Sequence, residues 1–140
     1  MSKFSIDFDI RIKDFKFSNE FLVKGKHKVS QNWEKVRFDH SLKWDISKDL
    51  ISKDEKRITF HFKLEMKPDI GEMMFDGECI LESPEQRKVL FVQQNAPQIL
   101  NNFVHNFLLR HSYINAENFA KEQHLPFPPA QFILKKFGLR

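Results

Sequence analysis

Asn95-Ala96-Pro97-Gln98-Ile99-Leu100 is the stretch at which the chain changes period, and its reading decides the fold. Beyond Pro97, the residues Ile99, Leu100, Phe103, Val104, Phe107, Leu108 and His111 fall on one helical stripe, with Asn101, Asn102, His105 and Asn106 largely off it. A proline inside such a helix removes a backbone donor and bends the axis, so a long proline-kinked helix is predicted. Just upstream, Ser83-Pro84-Glu85-Gln86 has the form of a helix start, with proline at the first helical position and Gln86 as the return cap. The next run, Lys88-Val89-Leu90-Phe91-Val92, fits either that helix or a fifth strand.

Downstream, a short extra helix is predicted near Asn115 to Gln123, presenting Phe119 and Ala120. Leu125-Pro126-Phe127-Pro128-Pro129-Ala130-Gln131-Phe132 is a proline-rich turn that ends it. A last helix, Pro129 to Phe137, carries Phe132, Ile133 and Phe137 and stops at Gly138.

Upstream the period is two. Phe4, Ile6, Phe8, Ile10 and Ile12 alternate with polar residues, so one face is buried and one is wet. Phe15 and Phe17 fall out of phase, which a bulge near Lys13-Asp14 would explain. Val36, Phe38, Leu42, Trp44 and Ile46 repeat the pattern with His40 on the same face, and Ile58, Phe60, Phe62, Leu64 and Met66 repeat it again. Ser47 to Lys56 reads as a polar connection and Pro68-Asp69-Ile70-Gly71 as a short turn. Phe75, Gly77, Cys79 and Leu81 lie on one side of a strand from Met74 to Leu81. The expected class is α+β: a four-stranded antiparallel sheet, then the long proline-kinked helix, the short extra helix and the C-terminal helix.

The chain has 140 residues, the usual size of a single domain, so one domain over 1–140 is expected. Hydrophobic residues are 41 % and charged residues 30 %, which is ordinary for a globular protein. No apolar run is long enough to span a bilayer, and the first residues lack the apolar region of a signal peptide. With Cys79 as the one cysteine there is no internal disulfide and no cysteine-rich zinc site, so a cytoplasmic location is expected. The net charge is +4, with a dense patch at Lys24-Gly25-Lys26-His27-Lys28 that reads as a solvated loop or as a contact for nucleic acid or an acidic partner. Phenylalanine is the unusual number: sixteen, against one tyrosine and two tryptophans. Phe buries a large area without needing a hydrogen-bond partner, and this surplus points to an apolar surface or a subunit interface.

Catalytic residues are not expected, nor is a cofactor or a metal. The chain carries no glycine-rich phosphate loop, no Gly-x-Ser-x-Gly elbow and no His-Glu-x-x-His. Cys79 sits at an apolar strand position, which favours a buried, inert thiol. His40 and His61 lie on separate strands and could be neighbours, but no third ligand accompanies them. A nucleic-acid-binding module would stack bases on aromatics interleaved with lysines. Here the aromatics share one strand face and the lysines occupy the other, so burial under helices is the simpler account.

The layout resembles the SecB export-chaperone family. Asn95 to Leu100 is similar to that family's Asn-x-Pro-x-Ile-Leu type segment, Leu125-Pro126 through Phe132 to its Leu-Pro-Pro-x-Asn-Phe turn, and Phe75-x-Gly77-x-Cys79-x-Leu81 to its fourth strand. The family continues Phe-Pro-Tyr where this chain has Asn101-Asn102-Phe103, and it has a shorter link to the proline turn. The resemblance implies a homotetramer, a dimer of dimers, that binds unfolded or precursor polypeptides without ATP, for export or for a dedicated client such as an antitoxin. The chain is basic and stops at Arg140 directly after its last helix, so docking to a translocation motor is not expected.

Groove candidates are Phe15, Phe17, Phe21, Trp33, Trp44 and Phe127, which fall near strand ends or the proline turn. Interface candidates are Ile99, Leu100, Phe103, Val104, Phe107 and Leu108, since this stripe exceeds what one small sheet covers. The alternative from another class is a carrier of a small apolar ligand or lipid, its pocket lined by phenylalanine under the helices.

Overall fold

The computed structural model describes residues 10–26 and 33–138. Phe4, Ile6 and Phe8 of the first alternating run, and His27 and Lys28 of the basic patch, lie outside them. The fold is α+β. Four strands, β1 (Arg11–Lys24), β2 (Arg37–Ser52), β3 (Glu55–Lys67) and β4 (Gly71–Glu82), form one antiparallel sheet in the order β1-β4-β3-β2. Among the described residues, β1 and β2 are therefore its edges.

The two edges differ. The phase slip near Lys13-Asp14 is a bulge: the β1–β4 register jumps between Lys13 and Lys16, and Asp14 takes a φ of 57°. A second jump between Ser18 and Phe21 contains Asn19 at φ 53°. Asp and Asn tolerate the left-handed region better than other side chains, which is why the breaks fall there. β2 instead pairs with β3 residue by residue from Arg37 to Ile46. The expected polar connection from Ser47 to Lys56 is mostly strand: β2 runs to Ser52, β3 begins at Glu55, and only Lys53-Asp54 turns the chain. Strand pairing continues there because backbone bonds do not require a buried face, and Leu50 and Ile51 stand exposed.

The helical half is divided differently from the expectation. Gln86–Asn95 is a helix, α1, so the fifth-strand reading falls away. Pro84 precedes it. Gln86 is not a return cap, because its Nε2 donates to the Asp54 carbonyl at 2.8 Å, while Ser83 Oγ accepts from the Glu85 N–H at 3.0 Å. Pro97 does not kink one long helix. It opens a second, α2 (Pro97–Glu122), while Ala96 leaves the helical region at φ −140°, ψ 60°. The residue before a proline is pushed out of the helical region, and at a first helical position the missing N–H costs nothing. The short extra helix expected at Asn115 to Gln123 is the last part of α2, whose buried Leu109, Ser112, Tyr113 and Ala116 carry the helical spacing straight through. The proline turn then leads into α3 (Ala130–Lys136), with Gly138 beyond it at φ 73°.

All three helices cover the same face of the sheet. One cluster joins Phe38, Phe62, Leu64 and Phe75 of the strands to Leu109, Tyr113 and Phe119 of α2 and Ile133 of α3. The other joins Ile58, Phe60, Cys79 and Leu81 to Val89 and Val92 of α1 and Leu100, Val104 and Leu108 of α2. α2 thus spans both clusters. Each fully buried side chain of this size contributes roughly 1.5–3 kcal/mol.

Gly77 marks where β4 must be bare. A Cβ there would stand 2.1 Å from Phe60 Cζ, so the Phe60 ring lies over the glycine backbone. Phe17, which also pairs with Gly77, meets that ring edge-on at 5.8 Å.

Candidate aromatic binding surface

A file of aromatic rings runs from the edge of the sheet to solvent. The β1 bulge starts it: an uninterrupted strand would place Phe15 and Phe17 on the outer face, and one extra residue brings both under the helices. Phe15 stacks on His111 of α2 at 4.1 Å and lies 5.9 Å from Phe107. Phe107 lies 6.3 Å from Phe103. In the other direction, Phe15 meets Phe17 at 6.2 Å, and Phe17 meets Phe75 at 5.4 Å. These separations are those of attractive ring pairs. The outer end is open, since Phe103 is 38 % exposed. The inner end is sealed, since Phe75 is fully buried.

Burial, with the nearby Arg110 charge second, holds His111 below the ordinary histidine range. A neutral imidazole between Phe15 and Phe107 keeps the file uncharged near neutral pH. The spacing Phe103, Phe107, His111, four residues apart each time, was the sequence signal for this file.

The six groove candidates occupy four places. Phe15 and Phe17 belong to the file. Trp33 and Phe127 pack against the cluster under α3, with Phe127 edge-on to Phe38 at 6.2 Å. Trp44 is on β2, where its indole N–H donates to His105 Nδ1 at 3.2 Å. Phe21 pairs with Met74, whose side of β4 is the outer face, and is 54 % exposed there, away from the helices. Of the interface candidates, Leu100, Val104 and Leu108 are fully buried in the subunit's own interior. An interface could draw only on Phe103 and on the half-buried Ile99 and Phe107.

His40 and His61 stand on opposite faces and are not neighbours. His40 faces the helices and lies 2.8 Å from the Tyr113 hydroxyl, while His61 is paired with Asp76 at 2.7 Å on the outer face. No group of three or more His, Cys, Asp or Glu side chains placed to hold a metal occurs among the described residues. Cys79 is 1 % exposed, and burial, then the Glu78 charge, pushes its thiol up to about 12. That is an inert thiol.

The outer face is a lattice of ion pairs. Lys13 bridges Glu55 at 2.8 Å and Glu82 at 2.6 Å, Lys63 reaches Glu72 at 3.2 Å, and Lys67 reaches Asp39 at 3.1 Å. A depression of about 790 Å³ crosses all four strands, bordered by Lys16, Lys43, Asp45, His61, Asp76 and Glu78 besides Phe17, Trp44 and Phe60. Such a rim differs from the phenylalanine-lined pocket expected of a lipid carrier. No helix among the described residues is long and apolar enough to cross a membrane.

No family model matches the chain, and no curated protein matches it. Among solved structures, the chain is similar to a SecB-like chaperone of Mycobacterium tuberculosis, solved in complex with a ChAD peptide from an antitoxin. The identity is 8 % and the TM-score 0.48, over 86 % of this chain and 87 % of that one.

Proposed function

We propose that this protein is an ATP-independent chaperone of SecB-like type, which holds non-native polypeptide on the Phe103–Phe107–Phe15–Phe17 file. The single observation behind the reading is that file, continuous from a solvent-facing ring to the sealed interior. Unfolded chains expose apolar side chains, and successive rings on a rigid helix and strand offer contacts with little sequence preference. Full burial of an exposed ring is worth roughly 1.5–3 kcal/mol, and these rings are already partly covered, so each contributes a fraction of that before ordering costs and several weak contacts together hold a client. The clients are exported precursors or a dedicated labile protein such as an antitoxin, and the protein works in the cytoplasm as an oligomer.

The test is suppression of aggregation. A chemically unfolded client is diluted into the purified protein without nucleotide, and light scattering is followed. Scattering should fall in proportion to added protein. Unchanged scattering at several-fold molar excess would reject the holdase reading.

A further inference from the structure

Arg110 stands alone on α2. From Pro97 to Ala116 it is the one residue with a full charge at neutral pH, and the positions one turn away on either side are Asn106, Phe107, Tyr113 and Ile114, none of them acidic. The side chain is half-buried, its Nε is shut away without a hydrogen-bond partner, and it makes no ion pair among the described residues. Glu20 of β1 reaches α2 but accepts from Asn115 Nδ2 at 3.2 Å, and Glu117 is committed to the Ala130 N–H and to Lys121. Covering a guanidinium without an anion is costly, and no acid among the described residues offsets that cost here.

Its place on the helix identifies the source of the anion. Phe103, Phe107, Arg110 and Ile114 follow one another at steps of four, three and four, so they share one stripe of α2. Phe103 is 38 % exposed and Ile114 43 %, and Phe107 is half-buried between them. The guanidinium therefore lies beside the open end of the ring file, with Phe107 one turn before it and Ile114 one turn after. Its charge also reaches into the file: after burial, it is the second influence that holds His111 below the ordinary range. A polypeptide laid along this stripe rests apolar side chains on Phe103 and Ile114 and meets a cation between them. The planar fork of arginine takes a carboxylate through parallel N–H···O bonds, and a partly dry site strengthens the pair.

We infer that Arg110 sets a charge preference on the client surface: the segments held there carry an aspartate or glutamate between large apolar side chains, and that carboxylate pairs with the Arg110 guanidinium. This rests on the chaperone reading and names the class of segment that the surface takes.

Three fluorescent peptides test it by polarisation with the full chain at low ionic strength. They share their phenylalanine and leucine positions and differ only in carrying glutamate, glutamine or lysine between them. The parent should bind the glutamate peptide roughly tenfold more tightly than the glutamine peptide, and the lysine peptide more weakly still. Arg110→Gln should remove that order, Arg110→Glu should reverse it, and Arg110→Lys should keep it in reduced form. Phe103→Ser should weaken all three peptides alike. Circular dichroism confirms that each variant is folded, and the glutamine and lysine variants decide the matter even where the charge reversal does not fold. A parent that suppresses client aggregation but does not favour the glutamate peptide overturns the inference and leaves the chaperone reading intact. A preference that survives in Arg110→Gln overturns it too, as does sedimentation in which Arg110→Gln loosens association between copies while the order of the peptides stays as in the parent. A parent that neither suppresses aggregation nor binds any of the peptides rejects both readings.

Discussion

The hydroxyl of Tyr113 lies 2.8 Å from Nδ1 of His40, and this contact ties the edge strand β2 to the middle of α2. Tyr113 is fully buried, and burial, then the Asp39 charge, raises its phenol above the ordinary range. Burial, then the His105 charge, lowers His40 below the ordinary histidine value of 6.5. Both shifts favour one arrangement, in which a neutral phenol donates to a neutral imidazole. Phe137 of the C-terminal segment caps the pair, 4.7 Å from the His40 ring and 6.1 Å from Tyr113.

A pH dependence follows from the sign of that shift. A histidine with a lowered folded value binds a proton more tightly when unfolded, so stability rises with pH across the window. The contribution is complete above the ordinary value of 6.5 and is lost as pH falls below it toward the folded value. His111 acts in the same direction. The lowered carboxylates Asp39, Asp76, Glu55 and Glu117 contribute their loss lower, as pH falls through and below the ordinary carboxylate range. Urea midpoints should therefore drop between pH 7.5 and pH 5. His40→Asn keeps an acceptor for the phenol and cannot titrate, so its midpoint should vary less over that interval. An equal slope in parent and variant would remove His40 from the account.

Gly77 is a packing requirement. A methyl group there would need the Phe60 ring to leave its place, since the nearest ring carbon would be 2.1 Å away. Phe60 is held by Phe15 and Phe17 as well as by the strand, so it has nowhere easy to go. Gly77→Ala should cost about 2 kcal/mol or more, the scale of overpacking in a filled interior. Denaturant unfolding measures it, and a loss below about 0.5 kcal/mol would mean that the ring moves freely.

What the sequence showed depended on the kind of signal. Strand faces were legible because Phe38, Trp44, Phe60, Phe62 and Phe75 repeat at two, and because the phase slip at Asp14 is itself a pattern. Helix ends were less so. Pro97 can stand inside a helix or open one, and only the tertiary course of Ala96 decides between them. The Ser47–Lys56 segment looked like a loop because its polarity says nothing about backbone pairing. The candidate rings were named, but their division between the file, the α3 side and the outer face depends on the strand order, which periodicity does not carry.

Glu117 joins the last two helices. Its Oε1 accepts from the Ala130 backbone N–H at 2.7 Å, at the start of α3, and its Oε2 pairs with Lys121 at 2.9 Å. The backbone bond, then the lysine, holds its carboxyl below the usual range. No side chain at Pro129 caps α3, so Glu117 supplies from α2 what a local cap would. Glu117→Ala should cost about 1 kcal/mol, in the range of a lost cap. Hydrogen exchange should quicken in α3 while β3 and β4 amides stay protected. Uniform quickening would mean that the contact supports the whole fold rather than the docking of one helix.

The two faces of the sheet offer a direct contrast for client binding. Phe103 is 38 % exposed at the open end of the file, and Phe21 is 54 % exposed on the outer face among charged neighbours. If accessible apolar area alone held clients, Phe21 would matter more. If continuity of rings holds them, Phe103 matters more, because a client side chain seated there also reaches Phe107 and the half-buried Phe15. Phe103→Ser should weaken aggregation suppression several-fold, and Phe21→Ser should change it little. Phe21 is more than half exposed, so Phe21→Ser should alter stability by less than about 1 kcal/mol, while Phe103 is covered over most of its surface, so the two variants are compared where circular dichroism shows both folded. Equal loss in the two variants would move the binding surface off the file, and no loss in either would leave the exposed rings without a role in holding clients.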